Sequence, residues 1–236
     1  NREAIERATL FQTNLMVRAA KGSKLITRPS RKASIDADDH SNALLFRRSR
    51  EYATGHTCSA QWDAVDGTGK IDVVRTAWIP QATSPAISPD GSPHFANLAS
   101  SGALAAATLA RSPNNELVAH LSTLCDSYGA WLEDQVTALA GIPQPLQDTA
   151  KAHLKEVDHV LGRMRRSVNR LASDGAMAEA FRLANLAMDT QRKWGGSSLV
   201  WRPFQLGFLL LSMESTLDPQ HPDRSVMDLL WFPTGG

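Results

Sequence analysis

Two short clusters in the chain combine residue types suited to holding a nucleotide. The first is Trp201-Arg202-Pro203-Phe204-Gln205. An amide side chain both donates and accepts, which matches the paired acceptor and donor on the edge of adenine. Arg202, three residues before Gln205, sits on the same helical face or at its mouth. The second cluster is the apolar run Met227-Asp228-Leu229-Leu230-Trp231-Phe232 passing into Pro233-Thr234-Gly235-Gly236. Such a run suits a strand buried on both faces of a parallel sheet. Glycines directly after it admit unusual dihedrals and let successive N–H groups point at an anion, which is how a phosphate cradle begins. A full P-loop needs Gly-Lys-Ser/Thr next, and the sequence stops before it. A plain Pro/Gly tail has the same composition; the order of strand, then glycines, favours the cradle.

A third cluster is basic. Arg163, Arg165, Arg166 and Arg170 lie on one predicted helix, off its apolar stripe. Of these, Arg163, Arg166 and Arg170 are candidate DNA contacts, because each phosphate neutralised releases counterion and makes binding salt-sensitive. The alternative is a solvated face to which Lys151 and Lys155 add solubility. Other chemistry finds little support. His56 and Cys58 are a pair without a second pair, and zinc needs four ligands. His153 and His159 lack the i, i+4 spacing of a helical metal pair. No Gly-x-Ser-x-Gly is present, so a triad hydrolase is not indicated. The six tryptophans are spaced mostly as core or hairpin residues rather than as stacking platforms for bases.

The elements that must position these groups follow from periodicity and punctuation. Leu10–Val17 reads as a strand and residues 28–42 as a loop, with Ser41-Asn42 capping a short helix through Tyr52. Cys58–Trp62 and Ile71–Ile79 read as strands of a hairpin turned by Asp66-Gly67-Thr68-Gly69. Four prolines between 80 and 93 mark the best internal boundary. Helices follow at Glu116–Ala140, ended by Gly141-Ile142-Pro143, and along the seam Leu154, Val157, Leu161, Met164, Val168 and Leu171, which alternates by three and four. Further helices are expected over Glu179–Trp194 and Phe204–Leu217. The fold class expected is α+β: a mixed part over 1–95, a helical part over 96–196, and from 197 to 236 the opening helix and strand of a P-loop lobe.

Composition narrows the field. The 236 residues carry 25 Lys+Arg against 24 Asp+Glu, a net charge of +1, so coating nucleic acid by charge alone is excluded although a local basic face is not. Hydrophobic residues at 42% and charged residues at 21% are an ordinary globular mix with enough apolar side chains for a core. The two cysteines exclude a disulfide scaffold and suggest a reducing compartment. No stretch reaches about 18 consecutive apolar residues, so no membrane span is expected. The first residues, Asn1 to Arg7, lack both an initiator Met and a signal peptide's apolar region, and read as an internal cut.

Arg202-Pro203-Phe204-Gln205 resembles the adenine-reading Q motif of superfamily 2 helicases, and Phe232-Pro233-Thr234-Gly235-Gly236 resembles the first half of their motif I. The wider context, in Ser41–Arg47, Gly55–Ser59, Phe181–Asn185 and Asp228–Gly236, is similar to the DISARM anti-phage defence helicases of the DrmA family. The resemblance implies that Gln205 binds the adenine edge with Arg202 beside it. It also implies that Pro233, Thr234, Gly235 and Gly236 begin the phosphate loop of a RecA-like lobe. The cofactors implied are ATP and Mg²⁺; the partners are phage DNA and another subunit of the same defence system, in the bacterial cytoplasm. The phosphate-binding Lys, the magnesium-holding Thr, the Asp-Glu motif and the second lobe lie beyond the given residues, so the fragment alone is expected not to hydrolyse ATP. Two alternatives stay open: a helical interaction module without a nucleotide role, and another kind of P-loop ATPase.

Overall fold

In a computed structural model of the chain, residues 7–8, 13–28, 36–63, 65–79 and 91–229 are described. They divide into two compact units, 1–85 and 86–236, the boundary in sequence falling after Pro85. The architecture is mixed but mostly helical, with a small antiparallel sheet of three strands.

In the first unit, β1 (Met16–Arg18), β2 (Ser59–Trp62) and β3 (Val73–Ala77) pair in the order β1-β3-β2. Met16 faces Arg75, and Ser59 faces Ala77 at the far end of the hairpin. The β2–β3 turn forms because the Asp66 carboxylate accepts the backbone N–H groups of Thr68 and Lys70 at 2.9 and 3.0 Å. Those bonds, that of Lys70 first, hold its carboxyl down at about 2. Gly69 closes the turn at φ +79°, a conformation open to residues without a Cβ. Its carbonyl accepts the Tyr52 hydroxyl at 2.7 Å, and the Tyr52 ring meets Trp62 edge-on.

Helix α1 (Ala37–Leu45) occupies part of the stretch expected to be a loop, and it stops well short of Tyr52. Asp36 is the reason: its side chain accepts the Asp38 N–H, and Asp38 and Asp39 sit favourably against the helix N-terminus. The strand expected over Leu10–Val17 is observed only at Met16–Arg18, and residues 10–12 of the expected stretch lie outside the described residues. At Gly55, a Cβ would run into the Cys58 carbonyl oxygen, so the tight turn into β2 requires glycine.

The second unit holds α2 (Pro93–Ser100), α3 (Ala106–Arg111), α4 (Asn114–Ala138), α5 (Gln147–Ser173), α6 (Gly175–Trp194) and α7 (Pro203–Leu217). The seam predicted on α5 is the middle of the core, with Leu161, Met164, Val168 and Leu171 all buried. Around it cluster Leu98, Leu109, Leu117, Leu121, Leu124, Phe181, Leu206 and Leu210. Asp174 ends α5 and also caps α6, accepting the Met177 N–H at 3.0 Å, which is why α6 begins four residues before the expected Glu179. Burial of the Cys125 thiol in this core pushes its pKa up to about 11, so it behaves as a small apolar residue.

Helix α7 is part of the same core: Leu206, Leu210 and Met213 point into it, and the buried Ser167 hydroxyl donates to the Leu210 carbonyl at 2.7 Å. Residues 197–217 are thus packed as one body with the helices before them. After α7 the chain forms one 3₁₀ turn, Pro222–Ser225. The strand expected at Met227–Phe232 does not form over 227–229, and 230–232 lie outside the described residues. No helix among the described residues is long and apolar enough to cross a membrane.

Candidate functional site

The predicted adenine reader lies at the start of α7, and a buried polar network fixes that start. Asp189 on α6 is 1% exposed; its carboxylate accepts the Leu199 N–H at 3.0 Å and pairs with Lys193 at 2.6 Å. The Lys193 ammonium first, then the Leu199 N–H, holds this carboxyl below the usual carboxylate range. A depressed carboxyl stabilises the fold above its ordinary pKa, and that contribution is lost as pH falls through the native value. One turn earlier on α6, Asn185 accepts the Trp201 indole N–H at 2.8 Å and donates to the Phe181 carbonyl. The backbone of Leu199, Val200 and Trp201 bonds to the stretch Leu104–Ala106. Gly196, at φ +85°, turns the chain into this staple.

Arg202 is the N-cap of α7, Pro203 takes the first helical position where its missing N–H costs nothing, and both Arg202 and Gln205 are exposed. Gln205 Oε1 accepts the Arg202 N–H at 3.0 Å, the reach-back of a capping box. That bond uses one lone pair of the amide oxygen. The other lone pair and both N–H donors are uncommitted among the described residues.

On its other side the start of α7 borders an apolar groove of about 600 Å³. Phe204 and Phe208 line one wall, and Phe95 and the stacked pair Tyr128–Trp131, centroids 5.6 Å apart, line the others.

The basic residues separate. Arg163 is 5% exposed and faces inward rather than lying on a solvated helix face. Its guanidinium forms a two-pronged pair with Asp228, Nη1–Oδ1 2.8 Å and Nη2–Oδ2 2.9 Å, and its Nε lies 3.3 Å from Asp223. Asp228 first, through these bonds, raises the arginine's pKa further. Arg166 remains half-exposed between Glu214 and Asp223, and Arg170 is exposed beside Asp174. Pro233, Thr234, Gly235 and Gly236 lie outside the described residues. Among the described residues, no group of three His, Cys, Asp or Glu side chains converges as a metal site.

Sequence reasoning missed Asn185, Asp189, Asp223 and Asp228. Only Asp228 left a signal, as a lone charge inside an apolar run, a position that calls for a partner.

The class defined by this architecture is a two-unit α+β protein whose helical body presents an exposed, rigidly held Arg-Pro-Phe-Gln helix start. Against known proteins, the chain is 28% identical, over 251 aligned positions and 96% of its length, to "DISARM protein DrmA" of Bacillus paralicheniformis. That similarity supports a DrmA-like relationship. The chain spans about a fifth of the length of this relative. No protein-family model matches it.

Proposed function

We propose that the chain is the N-terminal region of an ATP-dependent DNA helicase or translocase that serves a DISARM-type anti-phage system. In this reading α7 opens a RecA-like lobe and Gln205 reads adenine, with Arg202 on the nucleotide side. Pro233, Thr234, Gly235 and Gly236 begin the phosphate loop. The similarity to DrmA supports the defence role and the partnership with other subunits of such a system. The observation that carries the nucleotide role is the exposed amide of Gln205, at a helix start over-determined by Asn185, Asp189 and Trp201.

The residues present suit the base and ribose end of ATP. An amide can pair with adenine through one donor and one acceptor, and an exposed arginine offers charge to the nucleotide. Bound ATP with Mg²⁺ supplies the free energy of phosphoanhydride hydrolysis. What this chain contributes is orientation of the base and a fixed helix start. The apolar groove beside α7 favours a second reading, a helical module that docks a protein partner.

Gln205→Glu separates the two. Glutamate keeps the oxygen that caps α7 but cannot donate to a purine nitrogen. In the full-length protein the variant is expected to melt with wild type while its ATP affinity falls about tenfold, the loss of one hydrogen bond to a buried partner. DNA affinity should be much less affected. Equal ATP affinity in variant and wild type removes the adenine assignment and leaves the docking module.

Contact with DNA is proposed for Arg166 and Arg170, the exposed two of the three candidate contacts; Arg163 serves inside the fold. Charge reversal of both, Arg166→Glu with Arg170→Glu, is expected to weaken DNA binding and to lower the salt slope by about one unit for each phosphate no longer neutralised. An unchanged slope across a salt titration excludes this face.

A further inference from the structure

Helix α6 is apolar on two opposite sides. Its inner side, with Met177, Ala178 and Phe181, is buried in the helical body. A surface helix ordinarily turns charged and polar groups outward, as α5 does with Lys155, Glu156, Arg165 and Arg166. The outward side of α6 instead carries Ala176, Ala180, Leu183, Ala187, Thr190 and Trp194, every one of them exposed. Leu183 is 55% exposed and Trp194 82%. Their spacing alternates by four and three along the whole helix, the repeat of a coiled-coil seam. An apolar stripe of this length left in water marks an interaction surface.

The sizes and charges along the seam fit a second copy of itself running the other way. In an antiparallel pair with its two-fold axis level with position 185, Ala176 faces Trp194, Ala180 faces Thr190 and Leu183 faces Ala187. Each contact sets a larger side chain against an alanine, the interdigitation that close packing needs. A parallel pair would stack Trp194 on Trp194 and leave Ala176 against Ala176. One edge of the seam supplies matching charge. Glu179, Leu186 and Lys193 follow one another there at seven-residue intervals. Such flanking positions set the partner and orientation of paired helices. Like edges meet in an antiparallel pair, so Glu179 reaches the partner's Lys193 while Leu186 meets its own copy at the axis. Glu179 and Lys193 contact Arg182 and Asp189 within the chain, yet their side chains stay 58% and 45% exposed. The two Trp194 side chains alone bring about 300 Å² to the contact, roughly a third of the ~1,000 Å² that a specific interface needs.

We propose that α6 is a two-fold interface, through which two copies of the chain pair antiparallel along this seam. The same patch serves both copies, as a closed two-fold contact requires. The helix is already held by its buried side, so pairing does not have to pay for folding it. This inference is independent of the nucleotide reading above.

The test uses the full-length protein, with sedimentation equilibrium reading its self-association. Wild type is expected to dimerise. Trp194→Ala removes a large side chain from both ends of the seam and should raise the dimer Kd about a hundredfold. Leu186→Glu should act in the same direction by setting two carboxylates together at the axis. Both residues are exposed, so both variants should melt with wild type. Lys155→Ala, on the outward side of α5, should leave the Kd unchanged. The register has its own readout. A mixture of Ala180→Cys and Thr190→Cys proteins should give a disulfide-linked pair on mild oxidation. Either protein alone should stay at the wild-type background, because its two new thiols lie about 15 Å apart along the seam, too far to bridge. A protein that remains monomeric up to its highest soluble concentration overturns the proposal and gives the seam to another segment of the longer chain or to another protein. A dimer indifferent to both Trp194→Ala and Leu186→Glu also overturns it, by placing self-association on a different face. Linkage as strong in Ala180→Cys alone as in the mixture overturns the antiparallel register.

Discussion

Leu210→Ala is expected to unfold the helical unit far more readily than any exposed substitution in it. Leu210 is 0% exposed, and α7 crosses α5 at this point so closely that Ser167 donates to the Leu210 carbonyl. Truncation removes the transfer free energy of the side chain and leaves a void that a backbone-tied crossing is poorly able to collapse, a cost of about 3–5 kcal/mol. Against an ordinary domain stability of about 5–15 kcal/mol this is a large fraction, and for a unit of this size it lowers Tm by about 10 °C. The loss should appear in one cooperative transition, because α7 shares its core with α4 and α5. Gly207→Ala, one turn earlier, is the matched control. A Cβ there meets only the Met164 methyl at 3.6 Å, and alanine gains about 0.5–1 kcal/mol of helix propensity. If Leu210→Ala melts in two steps, with most of the unit untouched, then residues 197–217 are a separate body.

The second large effect concerns Arg163. Arg163→Met strands the Asp228 carboxylate and half-strands Asp223 in a poorly solvated place, at an expected cost of about 3 kcal/mol. Adding Asp228→Leu removes the stranded charge and should recover most of that loss, so the pair is strongly non-additive. The recovery is incomplete because Asp223 keeps only its 3.8 Å contact with Arg166. Urea denaturation of the four proteins measures the cycle through the shift in midpoint. Simple additivity would show that the fork contributes no coupling. The experiment also bears on the basic cluster: a variant that reverses Arg163 weakens binding by damaging the fold, so a DNA-binding test has to leave this residue alone.

The long helices were legible because each signal is local. The three-and-four alternation from Leu154 to Leu171 records one buried face of α5, and Gly141-Ile142-Pro143 breaks the ladder whatever surrounds it. The β2–β3 hairpin was legible for the same reason, since Asp66-Gly67-Thr68-Gly69 makes its own bonds. Helix α1 was misplaced because Asp36 was read among loop residues instead of as a cap, and a cap differs from a loop acid only in the dihedrals beyond it.

The candidate site was half legible. Arg202 and Gln205 stand out in the sequence as a pair, and the structure places both on the exposed helix start. What holds that start was invisible: Asn185 and Asp189 belong to another helix and look like ordinary polar positions on it. The same limit explains Arg163. Its neighbours Arg165, Arg166 and Arg170 are exposed, so charge alone suggested one solvated face.

By itself, then, the amino-acid order determined that the long helices and the β2–β3 hairpin form, which face of α5 is apolar, and which Arg-Pro-Phe-Gln segment opens α7. These are properties of bonds and side chains within a few residues of one another. Only the tertiary structure decided that α7 joins the helical body and that Arg163 turns inward to Asp223 and Asp228. Both depend on partners 40 or more residues apart in the chain, and a charge is worth burying only where such a partner arrives to meet it.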